Sequence, residues 1–214
     1  MRYCKMPEAM WLLFGRSFRM HLISVFGYDR KSAADISGKA KTRYKEIIER
    51  LPEFDRKDIY QKNAVNASML AAFVLSMPER PSLEVLTRYY AESMMTFSMK
   101  WFCRKSGKSR FTEKDIEKLK AAEALRAADN NPYSWNLDFY EYEDGYEARF
   151  TKCGICRIMK DYGLYDLTPA LCHLDYTMND AYGTSIFERE YTLASGGPYC
   201  DCRYKKKIMQ TVEF

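Results

Sequence analysis

The stretch Asp138-Phe-Tyr-Glu-Tyr-Glu-Asp-Gly-Tyr-Glu-Ala-Arg-Phe-Thr151 decides the fold. Two β-rich runs, Asp138–Glu143 and Tyr146–Thr151, flank the dipeptide Asp144-Gly145. Asp-Gly between such runs favours the positive-φ centre of a type I′ turn, so the stretch predicts a tight hairpin. Tyr146, Ala148 and Phe150 alternate with Glu147, Arg149 and Thr151, the period of a strand with one buried face.

Before the hairpin the chain reads as helices. Trp11, Phe14, Phe18, Leu22 and Phe26 recur at steps of three and four and mark one face of a first helix from about Pro7. After the turn Gly27–Ser32, a second helix is expected from Ser32 to Leu51, ended by Pro52. Asp55 is expected to cap a third, Arg56 to about Leu75, and Ser82 to begin a fourth that runs to about Lys105. Thr112 with Asp115 resembles a capping box and predicts a fifth helix to about Asp129.

Beyond the hairpin, short helices are expected near Gly154–Tyr162 and Pro169–Ala181. A second hairpin follows, Ser185–Leu193 and Tyr199–Tyr204 around Ser195-Gly196-Gly197-Pro198. The order predicts an α+β fold in a single domain, 1–214. A helical half (1–130) precedes a cysteine-rich half (131–214) with a small, mainly antiparallel sheet packed with helices.

A hydrophobic fraction of 47% and a charged fraction of 29% are ordinary for a soluble globular chain. The net charge of +5 has its clearest cluster at Lys205-Lys206-Lys207 beside Arg203, read as a solvated strand end. No broad basic face accompanies it, and no nucleic-acid partner is expected. The apolar run Met69–Leu75 is far shorter than the roughly 20 residues of a membrane span, and the N-terminus lacks the apolar core of a signal peptide. An odd cysteine count of seven in a chain of this size predicts reduced thiols and a cytoplasmic location. The Met- and aromatic-rich N-terminal half reads as core and as a surface suited to a homo-oligomer.

Five of the seven cysteines fall in three C-terminal clusters: Cys153-x-x-Cys156, Cys172-His173-Leu-Asp175 and Cys200-Asp-Cys202. On helices, the three-residue spacings put Cys153 with Cys156, and Cys172 with Asp175, on shared faces. On a strand, Cys200 and Cys202 point to one side. If the helices pack on that side, the clusters converge on one pocket.

Such thiols can hold zinc, exchange disulfides, act as nucleophiles or pack as small apolar groups. The zinc spacing is incomplete, because Asp175 stands where a Cys or His is expected. A thioredoxin-like role for Cys153-Gly-Ile-Cys156 would call for a parallel βα unit. His173 diverges by about 100° from Cys172 on a helix, so Asp175 is the better-placed acid–base partner. Arg189 reads either as a cross-strand ion pair with its glutamate neighbours or as a fork for a substrate carboxylate.

From about Tyr140 to Tyr204 the chain resembles the L-2-amino-thiazoline-4-carboxylic acid hydrolase family. The resemblance is carried by Arg149-Phe-Thr-Lys-Cys153, Leu171-Cys-His-Leu-Asp175, Phe187-Glu-Arg-Glu-Tyr-Thr-Leu193 and Gly196-Gly-Pro-Tyr-Cys-Asp-Cys-Arg203. It implies a hydrolase that opens a cyclic amidine-like C–N bond of a small-molecule substrate to give an N-carbamoyl amino acid. The same region is similar to regulatory vinyl-reductase-like domains, which implies the alternative of a non-catalytic small-molecule- or metal-binding module.

In the hydrolase reading Cys172 attacks the ring carbon and Asp175 handles the proton, or Asp175 alone activates water. Arg189 holds the carboxylate, and Cys153, Cys156, Cys200 and His173 complete the pocket. No cofactor is expected, zinc being the one metal the thiol spacing brings into question.

Overall fold

The computed structural model describes residues 1–127 and 130–207. Helix α1 (Met6–Phe26) starts with a proline in its first turn and buries Phe14, Phe18 and Leu22, the stripe expected from periodicity. It ends at Gly27, whose φ of 74° closes the helix. Helix α2 (Arg30–Arg50) begins two residues earlier than Ser32. The Asp29 carboxylate caps it, accepting the N–H groups of Lys31 and Ser32 at 2.8 Å each.

Helix α3 (Gln61–Val74) starts later than expected. Asp55 and Asp58 spend their side chains on local turns, accepting from Lys57 N–H and Tyr60 N–H at 2.7 Å each. From Ala64 onward α3 is buried almost all round, so it is the central helix of the N-terminal half. Trp11 of α1 stacks between Tyr44 of α2 and Phe73 of α3. Tyr44 and Tyr89 donate their hydroxyls to the carbonyls of Pro7 and Phe18, which lets both rings be fully buried.

The expected fourth helix is two: α4 (Leu83–Met94) and α5 (Phe97–Gly107). Thr96 divides them by accepting the Met99 N–H at 3.2 Å, an N-cap set inside a continuous helical pattern. Helix α6 (Glu113–Ala127) packs on the sheet's first strand. Its expected end near Asp129 lies outside the described residues.

The sheet has four strands, β1 (Asn136–Tyr142), β2 (Gly145–Lys152), β3 (Ser185–Glu188) and β4 (Cys200–Lys206), in the antiparallel order β1-β2-β4-β3. Tyr142 pairs with Gly145, so the hairpin turns on Glu143-Asp144 rather than on Asp144-Gly145. Neither turn residue takes positive φ, and the type I′ turn is not formed. Gly145 absorbs the twist instead, at φ 153°, where a Cβ would lie 2.0 Å from the Tyr204 carbonyl oxygen.

Strand β3 is half the length expected. It stops at Glu188, and the chain crosses to β4 through a single 3-10 turn at Leu193–Ser195.

Helices α7 (Gly154–Asp161) and α8 (Pro169–Tyr182) follow β2. Helix α7 packs on α3, while α8 packs on α4, α5 and β3. One core joins Phe18, Tyr44, Leu70 and Tyr89 of the helical half to Trp135, Ile158 and Leu171 beyond it. Burial of side chains of this size contributes roughly 1.5–3 kcal/mol each. Phe187, Cys200 and Cys202 form a smaller cluster on the inner face of the sheet. Among the described residues, no helix is long and apolar enough to cross a membrane.

Candidate active site

Strand β2 ends at Lys152 and α7 begins at Gly154, leaving Cys153 as the N-cap with extended backbone (φ −133°, ψ 116°). The position is created by the neighbouring glycine. A Cβ at Gly154 would fall 2.0 Å from the Tyr133 carbonyl oxygen and 3.0 Å from the Trp135 ring, so only glycine lets the start of α7 close on Trp135. The Cys153 sulfur is thereby set close to the Cys156 thiol, the first turn of α7 and the Trp135 indole, although it accepts no capping hydrogen bond from the helix.

These contacts set two thiols apart. Interaction with the Cys156 thiol, assisted by the nearby backbone and indole N–H groups, holds the Cys153 thiol below its ordinary value despite burial. The same interaction, together with burial, pushes Cys156 well up, because its proton is committed to its neighbour. Of the two, Cys153 is the more readily ionised and Cys156 holds its proton.

Cys172, in the first turns of α8, is pushed up to about 12 by burial and by Cys153, against the pull of Arg189. Cys200 is raised to about 11 by burial, although it accepts the Leu193 N–H at 3.2 Å. Cys202, nine-tenths hidden on β4, is raised further by burial. The fold brings Cys153, Cys156, Cys172 and Cys200 within electrostatic reach of one another, with the Tyr165 phenol beside all four. Cys4 is exposed and Cys103 is buried on α5, away from this group.

Arg189 lies just past the end of β3, not within a strand, and turns inward. It donates to the Asp175 carboxylate at 2.8 Å and to the Cys172 carbonyl at 2.9 Å, between the rings of Tyr176 and Phe187. Its side chain is 6% exposed, whereas Asp175 keeps 44% of its side-chain surface accessible. Burial nevertheless raises the Asp175 carboxyl, with Arg189 opposing. Asp175 thus has one face packed against Arg189 and another at the protein surface. The ion pair expected with its glutamate neighbours is not the one formed: Arg189 pairs with Asp175, and two of its nitrogens are engaged. His173 is exposed and meets only the Tyr176 ring among the described contacts, so it is not drawn in with the thiols.

Within electrostatic reach of Asp175 lies a second polar group that spacing gave no reason to expect. Arg110 sits 4.2 Å from the Tyr204 ring and 4.8 Å from the Tyr182 ring, and donates to Tyr146 Oη at 2.6 Å. Tyr182 is raised to about 12 by burial, and it lies near Cys103, Arg110 and Asp175. Lys62, in the first turn of α3, is lowered by burial and by Lys118, and forms no ion pair among the described residues. A cation at a helix N-terminus opposes the helix dipole, so nothing in local structure favours it there. On the same helix, the Asn66 Oδ1 is buried without a hydrogen-bond partner.

Among the described residues, no group of three or more His, Cys, Asp or Glu side chains is arranged to hold a metal ion. A groove of about 690 Å³ lined by Ser17, His21 and Glu92 opens away from the thiols.

Compared with models of protein families, residues 58–204 match the one described as L-2-amino-thiazoline-4-carboxylic acid hydrolase. The match covers more than half of the chain, and it takes in Lys62, Arg110, Asp175, Arg189 and the clustered thiols. No curated protein and no solved structure matches the chain.

Proposed function

Because this chain belongs to the L-2-amino-thiazoline-4-carboxylic acid hydrolase family, we propose that it hydrolyses a small cyclic amidine carrying a carboxylate, with Cys153 as nucleophile. The observation that carries this reading is the Cys153 sulfur at the N-terminus of α7, beside the Cys156 thiol and more readily ionised than an ordinary cysteine. Cys172, the nucleophile expected from sequence, is disfavoured because burial and the neighbouring Cys153 keep its proton in place.

The thiolate adds to the amidine carbon of the ring. Collapse of the adduct expels the ring sulfur, which takes a proton from Asp175, and leaves an isothiourea on Cys153. Water, deprotonated by the Asp175 carboxylate, adds to the same carbon and expels the Cys153 thiolate, giving the carbamoyl group. Atom balance thus puts the scission at the carbon–sulfur bond, not the C–N bond, since the nitrogen keeps the carbamoyl carbon. Asp175 suits both halves of the cycle: burial favours its acid form, and Arg189 steadies its carboxylate.

The test is turnover of 2-amino-thiazoline-4-carboxylate, followed by release of product thiol. Cys153→Ser should lower kcat/KM by at least about 10³-fold, on the scale of a lost nucleophile, and Cys172→Ser by far less. The reverse ranking would return the role to Cys172. Unimpaired Cys153→Ser with inactive Asp175→Asn would mean direct attack by water, and binding without turnover would favour a ligand-binding module.

A further inference from the structure

We propose that Cys153 and Cys156 are an oxidation site, closing to a reversible disulfide when the protein meets a hydroperoxide. The pair is built for it. Three-residue spacing on a helix sets side chains about 5–6 Å apart at Cβ, roughly 1–2 Å more than a disulfide spans. Cys153, as N-cap, has extended rather than helical dihedrals, so its side chain can close that gap toward Cys156 without unwinding α7. The two thiols are close enough to perturb each other's ionisation in opposite directions. Both residues are partly accessible, which admits a small oxidant.

The chemistry balances with the hydroperoxide as the sole oxidant. The Cys153 thiolate attacks the peroxide oxygen, breaking the O–O bond; sulfur is oxidised to the sulfenic acid, and the peroxide leaves as water or alcohol after taking a proton. Cys156 then loses its proton and attacks the sulfenyl sulfur, expelling hydroxide, which leaves as water. A dithiol reverses the bond by exchange through a mixed disulfide. Cys172 and Cys200 also lie near Cys153, but on other elements, without a sulfur-to-sulfur hydrogen bond to it. Cys156 is therefore the resolving thiol.

The cross-link involves the thiol assigned above to hydrolysis, but mass reads the cross-link and product release reads turnover, so the two readings fail separately. Trypsin cuts after Lys152 and Arg157, placing both cysteines in one peptide. The full-length chain is exposed to a several-fold molar excess of hydrogen peroxide, enough for two oxidation steps at one sulfur, its remaining thiols are blocked with N-ethylmaleimide, and it is digested without reduction. The 153–157 peptide should lose both maleimide adducts together and regain both after dithiothreitol. In Cys156→Ser, Cys153 should pass to sulfinic acid and dithiothreitol should restore no adduct. A cross-link from Cys153 to Cys172 or Cys200, or full dithiothreitol recovery in Cys156→Ser, would overturn the assignment. So would loss of adducts from all cysteines at the same rate, as in urea-unfolded protein.

Discussion

Replacing Cys156 by alanine removes one donor from the Cys153 sulfur and leaves the backbone and Trp135 donors in place. A hydrogen bond to a charged group contributes about 1.5–3 kcal/mol, and because a thiol is a weak donor the lower end applies. At about 1.4 kcal/mol per tenfold, the thiolate population near neutral pH falls roughly tenfold. The remaining thiolate is more basic and hence more nucleophilic, which with a Brønsted slope of about 0.4–0.5 returns roughly threefold. The net expectation is a rate about three- to fourfold lower at neutral pH and about threefold higher on the alkaline plateau. Alkylation by iodoacetamide, read by mass on the 153–157 peptide across the pH range, measures both limbs without needing a substrate. A profile that stays in place, or a neutral rate that rises, would refute the role of Cys156 in easing Cys153 ionisation.

Two further outcomes follow from the geometry. Burial keeps the Asp175 proton on the native protein above the ordinary carboxyl value of 3.8, against the pull of Arg189. The native state therefore binds more protons than the unfolded chain in that window, and stability falls as pH rises through it. Asp175→Asn should flatten this limb in urea titrations taken from pH 3.8 upward, and an unchanged slope would count against the raised carboxyl. Gly154→Ala drives a Cβ to within 2.0 Å of the Tyr133 carbonyl oxygen. It should cost about 3 kcal/mol or more and lower Tm by about 6–12 °C in calorimetry, whereas a shift under about 2 °C would show that the junction yields.

The helical half was readable because its apolar positions repeat with helical period. Phe14, Phe18 and Leu22 carry that signal and are buried as expected. The break at Thr96 was hidden for the same reason, since the periodic pattern runs straight through a cap that only geometry reveals. The short β3 was hidden by its own composition: Arg189 to Thr192 read as strand, but the pull of Asp175 on Arg189 ends the pairing at Glu188.

At the site, residue types were legible and the differences among their surroundings were not. Spacing singled out Cys172 with Asp175, and Cys172 lies within electrostatic reach of Asp175, Cys153 and Cys200. What separates Cys153 from the other thiols is a coincidence of strand end, helix start and the Trp135 indole, which no spacing encodes. Arg110 belongs to a loop far from the motifs, so only tertiary placement brings it beside Tyr146, Tyr182 and Tyr204.

The direct passage from β2 through Cys153 into α7 has a bearing on how such a protein can change. With regular structure on both sides, the sulfur has no slack of its own, and inserting or deleting a residue there would shift sheet register or helix phase. The reactive atom thus works as a fixed datum point of the fold. Change is easier elsewhere around α7, since the side chains that α3 packs against it can be exchanged one at a time without moving the strand end or the helix start.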